Sequence, residues 1–156
     1  VKAATSGRPV ILSRGMATGE ELDRAVAIFH ENDTPHVLLH CVSSYPVGSP
    51  KDLNLSTISA MKQTYSCPIG FSDHSVGTMA AAVAVAAGAQ IVEKHFTLAD
   101  TVDAADYALS ADPATLKTMI EEIRQVEEAL GVPTFQPIEA ERGAFQFRRF
   151  TKIQNG

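Results

Sequence analysis

One pattern restricts the fold of this chain more than any other. A short apolar run rich in strand-forming residues is followed by a segment of helical periodicity, four times in succession. The run at 9–13 (PVILS) carries β-branched residues and predicts a buried strand. Thr18, with Glu21 three positions on, has the form of a capping box, in which a hydroxyl caps the first amides and a carboxylate reaches back. Leu22, Ala25, Val26 and Phe29 then recur at helical spacing until Asn32 and Asp33 end the helix. Residues 36–41 (HVLLHC) predict a second strand, and a polar loop with two prolines follows at 42–51. A helix over 54–65 presents Leu55, Ile58 and Met61 on one face. Residues 67–72 predict a third strand, and 78–87 a helix made almost entirely of alanine and valine, which Gly88 is placed to stop. The fourth strand is expected at 90–96, before a long acidic loop at 97–110. Asp112 and Pro113 open the last helix, with proline at a tolerated first-turn position. Its expected buried stripe is Leu116, Met119, Ile120, Ile123 and Leu130.

Strands and helices alternating at this spacing imply parallel strands joined by right-handed crossovers. That leaves an α/β open doubly wound sheet or part of a (β/α)8 TIM barrel. An open nucleotide-binding sheet prefers a glycine-rich turn after its first strand, and SRGM at 13–16 matches it poorly. A whole barrel takes roughly 250 residues, so four units make about half of one. The expected division is residues 1–133 as the second half of a barrel, and 134–156 as the barrel exit and start of a linker to a further domain. A first residue of Val1 rather than methionine points the same way, to a fragment or processed product.

Composition removes several classes of function. A net charge of -5 argues against a nucleic-acid surface, which shows as a basic excess. Cys41 and Cys67 are too few and too far apart for a disulfide framework or a zinc knuckle, which fits a reducing, cytoplasmic setting. No apolar run is long enough to span a bilayer, and no leader opens the chain, so no membrane partner is expected.

Polar residues gather where each strand ends: Ser13; Cys41, Ser43 and Ser44; Ser72, Asp73 and His74; Glu93 and His95. In parallel α/β folds these carboxyl ends form the ligand-binding rim. Strand alternation puts Glu93 and His95 on one face and Lys94 on the other. Two imidazoles from neighbouring strand ends suit a divalent cation with open positions for water and substrate. The plainer alternative is that each is only hydrogen-bonded at a loop. His36 and His40 share a face opposite Cys41 and are expected to pack against the helices. Cys41 reads as a small buried hydrophobe rather than a nucleophile.

Four segments taken together resemble one family: PVILSRGMA at 9–17, LLHCVSSYP at 38–46, GFSDHSVG at 70–77 and EKHFT at 93–97. They are similar, in order and spacing, to the N-acetylneuraminate (sialic acid) synthases and their legionaminic, pseudaminic and spore-coat relatives. The resemblance covers roughly residues 7–131, with a fainter echo at Arg148 and Arg149. It implies the last four strands of a (β/α)8 barrel. It further implies condensation of phosphoenolpyruvate with N-acetylmannosamine or a related amino-sugar aldehyde, with release of phosphate. The divalent ion would be Mn2+, with Mg2+ or Co2+ possible, and His74 and His95 its ligands. By the same resemblance Ser72 and Ser43 contact phosphoenolpyruvate, Tyr45 and Asp106 hold the sugar, and Glu93 orients the site or moves a proton. The full-length enzyme would be a homodimer.

The sequence also departs from the family. Ser43 stands where asparagine is usual and Arg14 where threonine is usual. The common Gly-Pro-Asp-His reads AADY at 104–107, and Arg-Arg-Ser reads RRF at 148–150. The resemblance places the lysines that grip phosphoenolpyruvate on the other four strands, so this chain is expected to be inactive alone. Two alternatives stand beside this reading: a non-catalytic half-barrel interaction module, and a different phosphoenolpyruvate-dependent aldol synthase.

Overall fold

The strands form where β-branched and aliphatic residues meet a covered face, and the helices where apolar residues return every third or fourth position. The computed structural model describes residues 1–98, 101, 103 and 105–149. In chain order the main elements are β1 (Val10–Ser13), α1 (Gly19–Glu31), β2 (His36–Cys41), α2 (Ser56–Thr64), β3 (Ile69–Asp73), α3 (Met79–Ala86), β4 (Ile91–Lys94) and α4 (Pro113–Leu130). Short 3-10 turns lie at Ala4–Ser6, Pro50–Leu53, Tyr107–Leu109 and Glu139–Phe147.

The sheet runs β1-β2-β3-β4, every pair parallel. Strand order follows chain order without reversal, so the sheet has no switch point of the doubly wound kind. One face is covered. Leu22 and Val26 of α1, Ile58 and Met61 of α2, and Ala80 and Ala84 of α3 form a core with Leu38, Ile69 and Phe71 of the strands. Leu12 packs against it. Leu12, Leu38 and Phe71 share one side of the register, so the helices cover that side. This is half of a (β/α)8 barrel, and the other face of its sheet corresponds to the barrel interior.

Two departures from the sequence expectation have identifiable causes in the backbone. The second helix starts at Ser56, because the preceding 3-10 turn ends on Asn54 at φ +47°. The fourth strand is two residues shorter than expected at its carboxyl end. After Lys94 the chain leaves β3, and Phe96 pairs instead with Ala111 in an isolated bridge.

The capping box at Thr18 forms as the sequence predicts: Glu21 N–H donates to Thr18 Oγ1 at 3.3 Å, and Thr18 N–H to Glu21 Oε2 at 2.8 Å. Asp112 caps α4 by accepting from Thr115 N–H at 2.7 Å. The stripe expected on α4 is only partly covered. Met119 is buried, but Ile120 and Leu130 are 46% and 57% exposed. The cause is position: α4 is the outermost helix and packs chiefly on α3, at the open end of the half-barrel. Residues 131–149 are exposed throughout, and Phe150 and Lys152 of the expected barrel exit lie outside the described residues. Among the described residues, no helix is long and apolar enough to cross a membrane.

Candidate active site

At the carboxyl ends of β3 and β4 the chain brings three rings together. The centroids of His74 and His95 lie 5.2 Å apart, with the ring planes at 71°. Tyr45, from the loop after β2, lies 4.1 Å from His74 with the ring planes tilted at 32°, and meets His95 edge-on at 5.8 Å. Its ring is half exposed, so the cluster opens to solvent on the side that Tyr45 borders.

The two imidazoles are held differently. His74 is buried, and its Nδ1 lies 2.9 Å from the Val42 carbonyl. A carbonyl only accepts, so Nδ1 carries a proton, the tautomer that places the ring's lone pair on Nε2 for a ligand. Cys41 Sγ sits 3.7 Å from the same Nδ1. His95 is about one-third exposed, and its Nδ1 lies 3.8 Å from Asp106 Oδ2. That is too long for a hydrogen bond, but the carboxylate faces the ring edge in the manner of an outer-shell partner. The His95 carbonyl accepts from Ala111 N–H at 2.7 Å, which pins its backbone after the strand has ended. Asp106 itself adopts φ +63°, and its carbonyl accepts from Leu109 and Ser110.

Ser72 and Glu93 are register partners on the interior side, and Ser72 Oγ donates to Glu93 Oε1 at 2.6 Å. Ser72 is buried and Glu93 exposed, so the carboxylate reaches the open rim while anchored from below. Ser43 faces elsewhere. It borders a cleft of about 640 Å³ at the ends of β1 and β2, with Arg14, Gly15, Asp52 and Asn54. Of the seven residues expected at the site, six thus fall in or beside the ring cluster, and Ser43 opens onto this neighbouring cleft.

The donor set suits a transition-metal ion. A ligating nitrogen sits about 2 Å from such an ion, so two rings sharing one ion must lie within a few ångströms of each other, as these do. The Val42 carbonyl fixes the His74 tautomer that leaves a ring nitrogen free to ligate. Among the described residues, no group of three or more His, Cys, Asp or Glu side chains is arranged to hold a metal. A cation here would therefore take two protein nitrogens and draw its other ligands from water or substrate.

His36 and His40 pack on the helix side as expected. His40 Nε2 donates to the Leu53 carbonyl at 2.7 Å, with Arg14 Nη1 3.5 Å from its Nδ1. The His36 ring stacks on Phe29 at 4.9 Å. Sequence reasoning missed one feature. Lys94 lies on the helix side of the sheet, as alternation requires, yet it does not reach solvent. It forms a buried ion pair with Asp73 at 3.0 Å. A lysine on a covered face needs a partner, which was the available signal; only the register identifies that partner as Asp73.

A sequence profile described as the NeuB family matches residues 1–134. The chain is 44% identical over 142 residues to an uncharacterized protein of Methanocaldococcus jannaschii, covering 90% of this chain and 42% of that protein. It is 41% identical over 129 residues to the pseudaminic acid synthase of Campylobacter jejuni, covering 82% of this chain and 37% of that one. The crystal structure of N-acetylneuraminic acid (sialic acid) synthetase from Leptospira borgpetersenii, in complex with citrate, superimposes with a TM-score of 0.84 at 43% identity, over 94% of this chain and 51% of that one. The chain spans about two fifths of the length of these curated relatives and about half of the solved structure.

Proposed function

The chain belongs to the NeuB family, and from that premise we propose that it supplies the cation-binding part of a nonulosonate synthase active site. The proposed reaction joins C3 of phosphoenolpyruvate to the aldehyde carbon of open-chain N-acetylmannosamine or a related amino sugar. Water adds at C2 and phosphate leaves. The single observation that carries the reading is the meeting of His74 and His95 at one rim, 5.2 Å apart.

When bound, a divalent cation, manganese in this reading with magnesium or cobalt as substitutes, would be held by His74 and His95 and supply Lewis acidity toward the aldehyde oxygen. An enol phosphate is a weak nucleophile, so the electrophile has to be activated. The Val42 carbonyl keeps the proton of His74 on Nδ1 and its lone pair on Nε2. Asp106 stands behind His95 and accepts hydrogen bonds from sugar hydroxyls at its exposed oxygens. Tyr45 offers the sugar a ring face beside both imidazoles. The Ser72 hydroxyl, now given to Glu93, is available to an anionic oxygen of phosphoenolpyruvate, and Glu93 then accepts a proton from the attacking water. Ser43 donates to the same substrate from the neighbouring cleft.

In this reading the chain is inactive alone, the complete enzyme is a cytoplasmic homodimer, and the remaining grips on phosphoenolpyruvate come from four further strand–helix units. The test is phosphate release from phosphoenolpyruvate and N-acetylmannosamine with Mn2+, using the chain alone and the chain joined to such a complement. Release from the complemented protein, lost in His74→Ala, is expected. No release from a folded complex sinks the proposal. Turnover of phosphorylated aldoses in place of N-acetylmannosamine would favour another aldol synthase. Among the described residues no further strand pairs with the outer edges of β1 and β4, and Ile11 is 58% exposed on the interior side, which favours association in either case.

A further inference from the structure

The last rung of the β3–β4 ladder pairs Asp73 with Lys94. His74 and His95 are the next residues along, just beyond the last register pair of the two strands. On the helix side of that rung lies the Asp73–Lys94 ion pair, Oδ2 to Nζ 3.0 Å, its side chains 0% and 4% exposed. Both partners also reach past His74. Asp73 Oδ1 accepts from Ser75 N–H at 2.8 Å, and Lys94 Nζ donates to the Ser75 carbonyl. The Ser75 carbonyl, one residue past His74, is therefore bound to the residue that precedes His95, and the Ser75 N–H to the carboxylate paired with it.

A buried ion pair is weak evidence for stability, because apolar residues of similar size do as well or better. What an apolar pair could not do is hold the main-chain N–H and C=O beside one histidine while anchored next to the other. We infer that Asp73 and Lys94 are positioning residues that set, from behind the sheet, the spacing of the His74 and His95 rings. Its consequence for cation affinity rests on the proposed function; its consequence for ring spacing does not. The Ser72–Glu93 bond ties the same strands one rung earlier and on the opposite side, so it does not replace this clamp.

The test is the double variant Asp73→Asn/Lys94→Met. Asparagine keeps an acceptor for Ser75 N–H and methionine fills the lysine stem, so no buried charge is left unpaired, as either single removal would leave one. Two signals are read on the 156-residue chain: the NOE between the ring protons of His74 and His95 without cation, and Mn2+ affinity by calorimetry. Circular dichroism checks folding. The expected result is a folded variant whose inter-ring NOE is lost and whose Mn2+ affinity falls on the order of 10–100-fold, the range for loss of outer-shell support. A folded variant with both signals at wild-type strength overturns the inference. So does a variant that cannot fold, since the pair would then hold the half-barrel together rather than two side chains in place. If the wild type shows the NOE but binds no Mn2+, the cation reading fails, while loss of the NOE in the variant still supports positioning.

Discussion

Gly70 sits on the interior side of β3, two residues before Ser72, paired with Ile91 of β4. A Cβ there would lie 2.5 Å from Leu39 Cδ2, 2.6 Å from the Ile91 carbonyl oxygen and 3.1 Å from Ile91 Cβ. Non-bonded carbons rest about 3.5–4.0 Å apart, so the overlap in Gly70→Ala approaches an ångström. Leu39 ends in a methyl group that can rotate aside, although its site is fully buried. The Ile91 carbonyl is main chain in the neighbouring strand and cannot turn without disturbing the β3–β4 pairing. Overpacking costs about 1–3 kcal/mol, and a clash with main chain belongs in the upper part, about 2–3 kcal/mol. For a chain of this size each kcal/mol moves Tm by about 2–4 °C, so the variant should melt about 4–12 °C lower. The assay is thermal circular dichroism of wild type and Gly70→Ala side by side. A Tm within about 1 °C of wild type would show that β3 and β4 do not approach this closely, and the argument from close packing at the base of the site would fail.

Two further predictions concern stability. Burial holds the His40 imidazole below the ordinary histidine range; the Leu53 hydrogen bond opposes this and the Arg14 charge adds to it. A lowered folded-state value means the unfolded chain takes the proton first. The His40 contribution is therefore complete above about pH 6.5 and is lost as pH falls from there toward the folded-state value. Urea midpoints measured from pH 7.5 down to 5.5 should fall more steeply for wild type than for His40→Gln, and equal slopes would contradict the assignment. Thr18→Ala removes the hydroxyl of the capping box on α1 and should cost about 1 kcal/mol, seen as a lower urea midpoint with an unchanged m-value. No shift would mean that the box is not formed in solution.

The strand–helix order, the sheet direction and the two rim histidines were legible because each rests on local pattern. The capping box at Thr18 and the cap at Asp112 are set by a few adjacent residues, and the structure has both. The end of β4 was not legible. Residues 90–96 read as one run, but Phe96 pairs with Ala111, fifteen positions on, and pattern within a run carries no information about that bridge. The stripe on α4 failed for the opposite reason: Ile120 and Leu130 have helical spacing, but spacing cannot say whether a neighbour covers them. At the site, alternation put Glu93 and His95 together and Lys94 opposite. It did not give the Asp73–Lys94 pair, which depends on register between strands. Nor could it give the Val42 carbonyl that sets the His74 tautomer, because a main-chain acceptor leaves no mark in residue identity.

Everything functional depends on one ion reaching both rim imidazoles. Sub-stoichiometric Mn2+ added to the isotope-labelled chain broadens the NMR signals of rings within several ångströms of the ion. The account predicts that among the five histidines the ring signals of His74 and His95 vanish together, with that of Tyr45 close behind, while those of His30, in the last turn of α1, and His36, at the start of β2, persist. Broadening of only one of the two rings, or of His30 and His36 in their place, would contradict it.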